Sequence, residues 1–263
     1  MDFQADISVL KTRTKLVLRG REMTCYAADL RGAAARAGKK NILIYVQGRL
    51  RAPLFEHLMC STGHVTGYRE VLNTVTRQVL WPTRYVRRMG KRNRGENVII
   101  HVMPEHLDLN RTHLVNTQSF LMALVDDGWF TVHLQRSNIV RMIVPNYLAE
   151  ARGGNHKLDD IKERATLNIP TTEFISKYER QRGQLQHENA LVEGIPYFMI
   201  NNQDRLERPE LHQQTVDTIL DKVGLPQRPV STRLKKINTF MPADLLPNLD
   251  GLEAAFASRE WTL

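Results

Sequence analysis

Cysteine is nearly absent from this chain: two occur in 263 residues, Cys25 and Cys60. Two thiols without a CxxC spacing exclude a disulfide framework and fit a reducing compartment. Long apolar runs are missing as well, and none approaches the roughly 18–20 residues that cross a bilayer as a helix. The first residues, Met1 to Asp6, lack the basic-then-apolar order of a secretory signal, so a cytoplasmic location is expected. No internal repeat and no low-complexity tract occurs. His101, His106 and His113 straddle a strand, a loop and a helix without a ligand spacing, so no metal is expected. Zinc-finger spacings and the aromatic RNA-binding signature KGFGFV are also lacking.

What is plentiful is positive charge, and it is local. Arg84, Arg87, Arg88, Lys91, Arg92 and Arg94 crowd together without one acid, and without those six the formal charge of +9 falls to +3. Such a run suits an anionic partner: nucleic-acid phosphate, an acidic glycan or a lipid headgroup. With no nucleic-acid motif beside it, nucleic acid is the disfavoured member of that set, and a solvated helix face is the plainest reading.

Lys40 to Val46 is a short apolar, β-branched run that reads as a buried strand. Gln47-Gly48 breaks it, Pro53 stands where a helix begins, and Leu54, Leu58 and Met59 follow at helical spacing. Strand, tight turn, helix points backbone N–H groups at an anion, and Arg49 and Arg51 flank the turn. Further strands are expected at 97–103, 129–135 and 195–200, with helices at 116–125 and 209–223. A β-rich lead-in over 7–18, a short helix over 27–36 and exposed helices within 150–190, one of them over 173–187 with helical spacing at Phe174, Ile175, Tyr178 and Leu185, complete the reading. Alternation of this kind specifies an α/β fold, a mainly parallel sheet flanked by helices, formed as one domain over 1–263.

Gln47-Gly48-Arg49 with Leu54 resembles the phosphosulfate loop of sulfotransferases that use 3′-phosphoadenosine 5′-phosphosulfate, in which a strand is followed by QGRSGSTLL. Leu50, Arg51, Ala52 and Pro53 stand where that pattern has Ser, Gly, Ser and Thr. Gly67-Tyr68-Arg69-Glu70 resembles the GxxE that follows the loop in the family. Arg136-Ser137-Asn138 after a strand resembles its RxN, although Val144 and Pro145 occupy the two positions for the later serine. Pro145 is expected to bend or break its helix. The segment from Gly194 to Leu225 resembles a late family segment whose usual glutamate is here a neutral Asn-Gln run. Ser231 to Lys236 resembles the family's basic segment, and the whole likeness spans 40–255 in the correct order, after a lead-in over 1–39.

The resemblance implies a P-loop-like sulfotransferase architecture and sulfuryl transfer to an acceptor hydroxyl on a small molecule, glycan or lipid. It implies that Gln47, Gly48, Arg49 and Arg51 hold the phosphosulfate, with Arg49 also neutralising the transferring group. Arg136 and Asn138, helped by Arg233 and Lys235, would hold the 3′-phosphate. Glu70 would be the general base, its basicity raised by desolvation, ahead of His57 and His64. The alternative is a non-catalytic protein of the same fold that binds an anionic ligand.

Overall fold

Ile42-Leu43-Ile44-Tyr45-Val46 offers apolar side chains to both faces, the pattern of a strand between two helical layers. The computed structural model describes residues 22–23, 26, 38–47, 50–73, 79–92, 96–108, 111, 114–151, 169–234, 249–259 and 261. In it this run is β1 (Ile42–Val46), buried throughout. The chain continues through α1 (Ala52–Ser61), β2 (Val65–Gly67), α2 (Pro82–Arg92), β3 (Asn97–Val102), α3 (Thr117–Asp126), β4 (Phe130–Gln135) and α4 (Val140–Ala151). Then come α5 (Thr171–Val192), β5 (Phe198–Asn201), α6 (His212–Val223) and α7 (Leu249–Ala257). Single helical turns lie at Glu105–Asp108 and Asn202–Arg205.

Among the described residues the strands form one parallel sheet in the order β2-β3-β1-β4-β5. Ile42, Ile44 and Val46 pack with Phe55, Leu58 and Met59 of α1 and with Val216 and Ile219 of α6. Leu43 and Tyr45 turn to the other face, against Val86 of α2 and Phe120, Leu121 and Leu124 of α3. Each such side chain contributes about 1.5–3 kcal/mol when fully buried, so the sheet is a rigid platform for the loops at its ends. A third apolar cluster joins α4, α5 and α7 through Val144, Phe174, Tyr178, Leu252 and Phe256.

The α/β class and the parallel sheet agree with the expectation from sequence. One expectation changes. Where the 150–190 region is described it is the largely exposed helix α5, which buries Phe174, Tyr178, Glu188 and Val192 along one side. The change is that Pro145 does not break its helix: α4 runs on to Ala151. The stretches 7–18 and 27–36 lie largely or wholly outside the described residues, and no described helix is long and apolar enough to cross a membrane.

Candidate functional site

The chain leaves β1 toward β2 on one side of the sheet and leaves β4 toward β5 on the other. Connections therefore diverge between β1 and β4, which opens the crevice where parallel sheets bind ligands, at the carboxyl ends of the strands. Gln47 and Arg51 follow β1 there, and Arg136 to Asn138 follow β4. Gln47 is buried, and its Oε1 accepts from Gln181 Nε2 of α5 at 2.7 Å. Gly48 and Arg49 lie outside the described residues, as do Lys235 and Arg94.

Arg51 caps α1 with φ 60 and ψ 26, the left-handed conformation that favours glycine. In the resembled loop a glycine holds this position, so the turn keeps a glycine's backbone while carrying an arginine. Its carbonyl accepts from Leu54 and Phe55 N–H at 2.9 and 3.1 Å, which starts the helix. Its Nη1 donates to the Leu206 carbonyl at 3.2 Å, which holds the guanidinium at the crevice. Holding a non-glycine residue here costs about 1–2 kcal/mol. Arg51→Gly is therefore expected to stabilise the fold by about 1 kcal/mol in urea unfolding. A loss of stability instead would mean that the Leu206 contact outweighs the backbone strain.

Arg136 is 5% exposed and already held. Its Nη2 pairs with Glu207 Oε1, and its Nη1 donates to the Arg141 carbonyl at 2.6 Å. That carbonyl is available because Pro145, four residues on, has no N–H to give it. Arg141 Nη1 lies 3.0 Å from the other oxygen of Glu207. Burial lowers the Arg136 pKa below the usual arginine range; Glu207 opposes the shift, while Arg51 and Arg141 add to it. Two guanidinium groups, those of Arg136 and Arg141, thus share one carboxylate, and Arg51 adds a third positive charge close enough to act on Arg136. Arg136 Nε remains buried without a hydrogen-bond partner among the described residues, a donor that suits an anion. Asn138 Oδ1 accepts from Arg141 N–H at 2.9 Å, and its own N–H donates to Gln203 Oε1 at 3.0 Å, so it begins α4.

On the far side of β1, Glu70 joins a buried relay. His101 pairs with Ile44 across the sheet and so points to the face covered by α1. Its Nδ1 lies 2.8 Å from Glu56 Oε2, and its Nε2 lies 3.3 Å from Glu70 Oε1. Glu56 Oε1 also accepts the Arg69 N–H at 3.0 Å. Gly67 makes that approach possible, since a Cβ there would meet Glu56 Oε1 at 2.3 Å. Glu70 accepts from Asn73 Nδ2 at 2.6 Å, and His106 Nε2 lies 3.9 Å from its Oε2.

The electrostatics reverse one expectation. His101 above all, with Asn73 and His106, pulls the Glu70 carboxyl down to about 2 against the opposing effect of burial. Burial lowers the His101 pKa, but Glu56 and Glu70 prevail and the net shift is upward. Burial drops His106 to about 4. The pairing with His101 thus holds the Glu70 carboxyl below its ordinary range, and desolvation does not make it more basic.

The remaining candidates scatter. His64 Nε2 lies 2.8 Å from the Pro226 carbonyl, and His57 Nδ1 on α1 is buried without a partner among the described residues. The backbone of the Arg233 segment is tied to the far end of α1. Ser231 N–H bonds Ser61 Oγ at 3.0 Å, which anchors this segment at the end of α1 opposite Arg51. Within the basic run, Arg87 is committed to Asp127 through bonds of 2.5 and 2.7 Å, while Arg84 is exposed. Among the described residues no three His, Cys, Asp or Glu side chains are grouped to hold a metal ion.

No family model matches the chain, and no curated protein matches it. Among solved structures, the crystal structure of a sulfotransferase from Alicyclobacillus acidocaldarius aligns with 84% of this chain and 92% of that one, at 12% identity and a TM-score of 0.48. That is a likeness in outline, and the chemistry has to come from the residues.

Proposed function

We propose that the chain transfers a sulfuryl group from 3′-phosphoadenosine 5′-phosphosulfate to an acceptor hydroxyl. The observation that carries this reading is the pairing of Arg136 and Arg141 with Glu207, with Arg51 held beside them on the Leu206 carbonyl, in the crevice between β1 and β4. The unpartnered Arg136 Nε supports an anionic ligand there. In this reading the bound donor supplies an electrophilic sulfur and a bisphosphate leaving group. Arg51, with Arg49, neutralises charge on the transferring group, as oriented donors do in other transfers. Arg136 and Asn138 orient the 3′-phosphate side. Glu70 takes the acceptor proton as the new O–S bond forms; Asn73 donates to its carboxylate and the nearby His101 lowers its pKa.

A second reading has one specific observation behind it. Glu207 and the Arg141 carbonyl already occupy both terminal nitrogens of Arg136. A protein that binds a smaller anion without turnover would look like this. Calorimetry with the 3′,5′-bisphosphate and with the 5′-monophosphate of adenosine separates the two. A working nucleotide site should prefer the bisphosphate, and Arg136→Ala should remove about 1.5–3 kcal/mol of that preference, the range of a charge-assisted hydrogen bond. Equal affinity for both nucleotides would leave the non-catalytic reading standing.

A further inference from the structure

We propose that the corner formed by Met23, Leu80, Trp81 and α2 is a docking face for an anionic membrane surface. Three large apolar side chains stand in water there, with Met23 at 53%, Leu80 at 40% and Trp81 at 48% exposure. They belong to one corner. Leu80 N–H donates to Glu22 Oε1 at 2.6 Å, Trp81 N–H donates to the Tyr26 hydroxyl at 3.1 Å, and the Tyr26 and Trp81 rings meet edge-on at 4.8 Å. Met23 adjoins Glu22 in the chain. Glu22 itself is 1% exposed and turned to these bonds, so it presents no negative charge to the outside.

Helix α2 leaves this corner with Arg84, Arg88 and Lys91 at i, i+4 and i+7. These share one stripe, Arg84 exposed and Arg88 and Lys91 half-buried, with the buried Val86 on the opposite side of the helix. The Arg84 guanidinium lies 6.0 Å from the centre of the Trp81 ring, so charge and aromatic are adjacent. Between Glu70 and Glu96 the chain contains no acid at all. Duplex phosphate would call for the arginines alone. An exposed Trp-Leu-Met wedge beside them fits the depth where headgroups meet acyl chains, with the cations on the anionic headgroups.

The face adjoins the candidate site. Because α2 runs between the parallel strands β2 and β3, its first residues lie at the carboxyl end of the sheet, as Glu70 does. Arg111 ties the two together, donating to the carbonyls of Val79 at 2.9 Å, Leu72 at 3.0 Å and His106. Docking stands independently of sulfuryl transfer. Its corollary, an acceptor hydroxyl carried by a lipid headgroup, rests on that proposed reaction.

The test is cosedimentation of the full chain, without nucleotide, with phosphatidylcholine vesicles that contain or lack phosphatidylglycerol. Binding is expected only with the anionic lipid. The double variant Arg84→Glu with Arg88→Glu should bind at least about 30-fold more weakly at low salt. Leu80→Ser with Trp81→Ser should bind at least about tenfold more weakly at any salt. Arg259→Glu, on the exposed end beyond α7, serves as the control and should bind as the parent does. No binding to anionic vesicles, or binding that ignores the Leu80 and Trp81 substitutions, overturns the proposal. Tighter binding to a random DNA duplex through Arg84 and Arg88 would overturn it too, in favour of nucleic acid. Nucleotide calorimetry without vesicles reads the sulfuryl-transfer proposal separately.

Discussion

Glu70→Gln should slow sulfuryl transfer by about 100- to 10,000-fold, the usual weight of a general base, and leave nucleotide affinity unchanged. The proton moves only as the acceptor oxygen attacks, so the loss falls on turnover and not on donor binding. Glutamine keeps the size of the side chain and an acceptor for Asn73, which makes it cleaner than alanine. The measurement is transfer of labelled sulfate to a panel of hydroxylated acceptors, with calorimetry in parallel. Unchanged turnover removes Glu70 and turns attention to His101, whose Nε2 is 3.3 Å away.

A pH series sharpens this test. Glu70 is depressed from 4.5 to about 2, so its pairing stabilises the fold above 4.5 and is lost as pH falls toward 2. His101 is raised above 6.5, so its contribution is complete below 6.5 and is lost as pH rises through the folded value. The relay is therefore most stabilising between about 4.5 and 6.5, where both charges are present. His101→Gln should let the Glu70 pKa rise, moving the acid limb of the rate profile upward. An acid limb that stays in place would mean that another group sets it.

The second large effect is on stability. Glu188→Ala should destabilise the fold by about 1–3 kcal/mol, because it leaves the buried His133 Nε2 without its hydrogen-bond partner. Glu188 Oε1 on α5 lies 3.0 Å from His133 Nε2 on β4, with side-chain exposures of 2% and 0%. His133 sits in a polar pocket of the otherwise apolar face, its ring 5.6 Å from Tyr45 and 5.3 Å from Tyr197. Burial first, and Glu188 second, keep the Tyr45 hydroxyl protonated well above the usual tyrosine range. Glu188→Gln preserves a hydrogen bond to the imidazole and should lose less than half as much. Urea unfolding of both variants checks this. A change within about 1 kcal/mol for alanine would show that the site collapses around the gap.

The sheet was legible because its central strand is apolar on both faces and its turns carry Gly, Pro and Asn at strand ends. The candidate loops were legible for the same local reason: Gln47, Arg51, Arg136 and Asn138 each follow a recognisable strand. What escaped is non-local. Glu56 and His101 are 45 residues apart, and Arg136 and Glu207 are 71 apart. No spacing rule joins such pairs, although the alternation along β3 does put His101 on the face of Ile44. Glu70 looked like a desolvated base because its histidine was invisible as a partner. The basic character of the segment around Arg233 does not say which end of α1 it meets, and Ser231 ties it to Ser61. The left-handed turn at Arg51 was hidden by an arginine in a glycine's place.

Pro145 and Arg136 deserve to be read together as an epistatic pair. The proline withholds an N–H, the Arg141 carbonyl is left open, and the arginine takes it. Serine at position 145 would restore the helix bond and so loosen Arg136 from one of its two anchors before the new hydroxyl touched any ligand. Varying position 145 alone would therefore report on the arginine as much as on the serine. Only a double-mutant cycle across positions 136 and 145 separates the two.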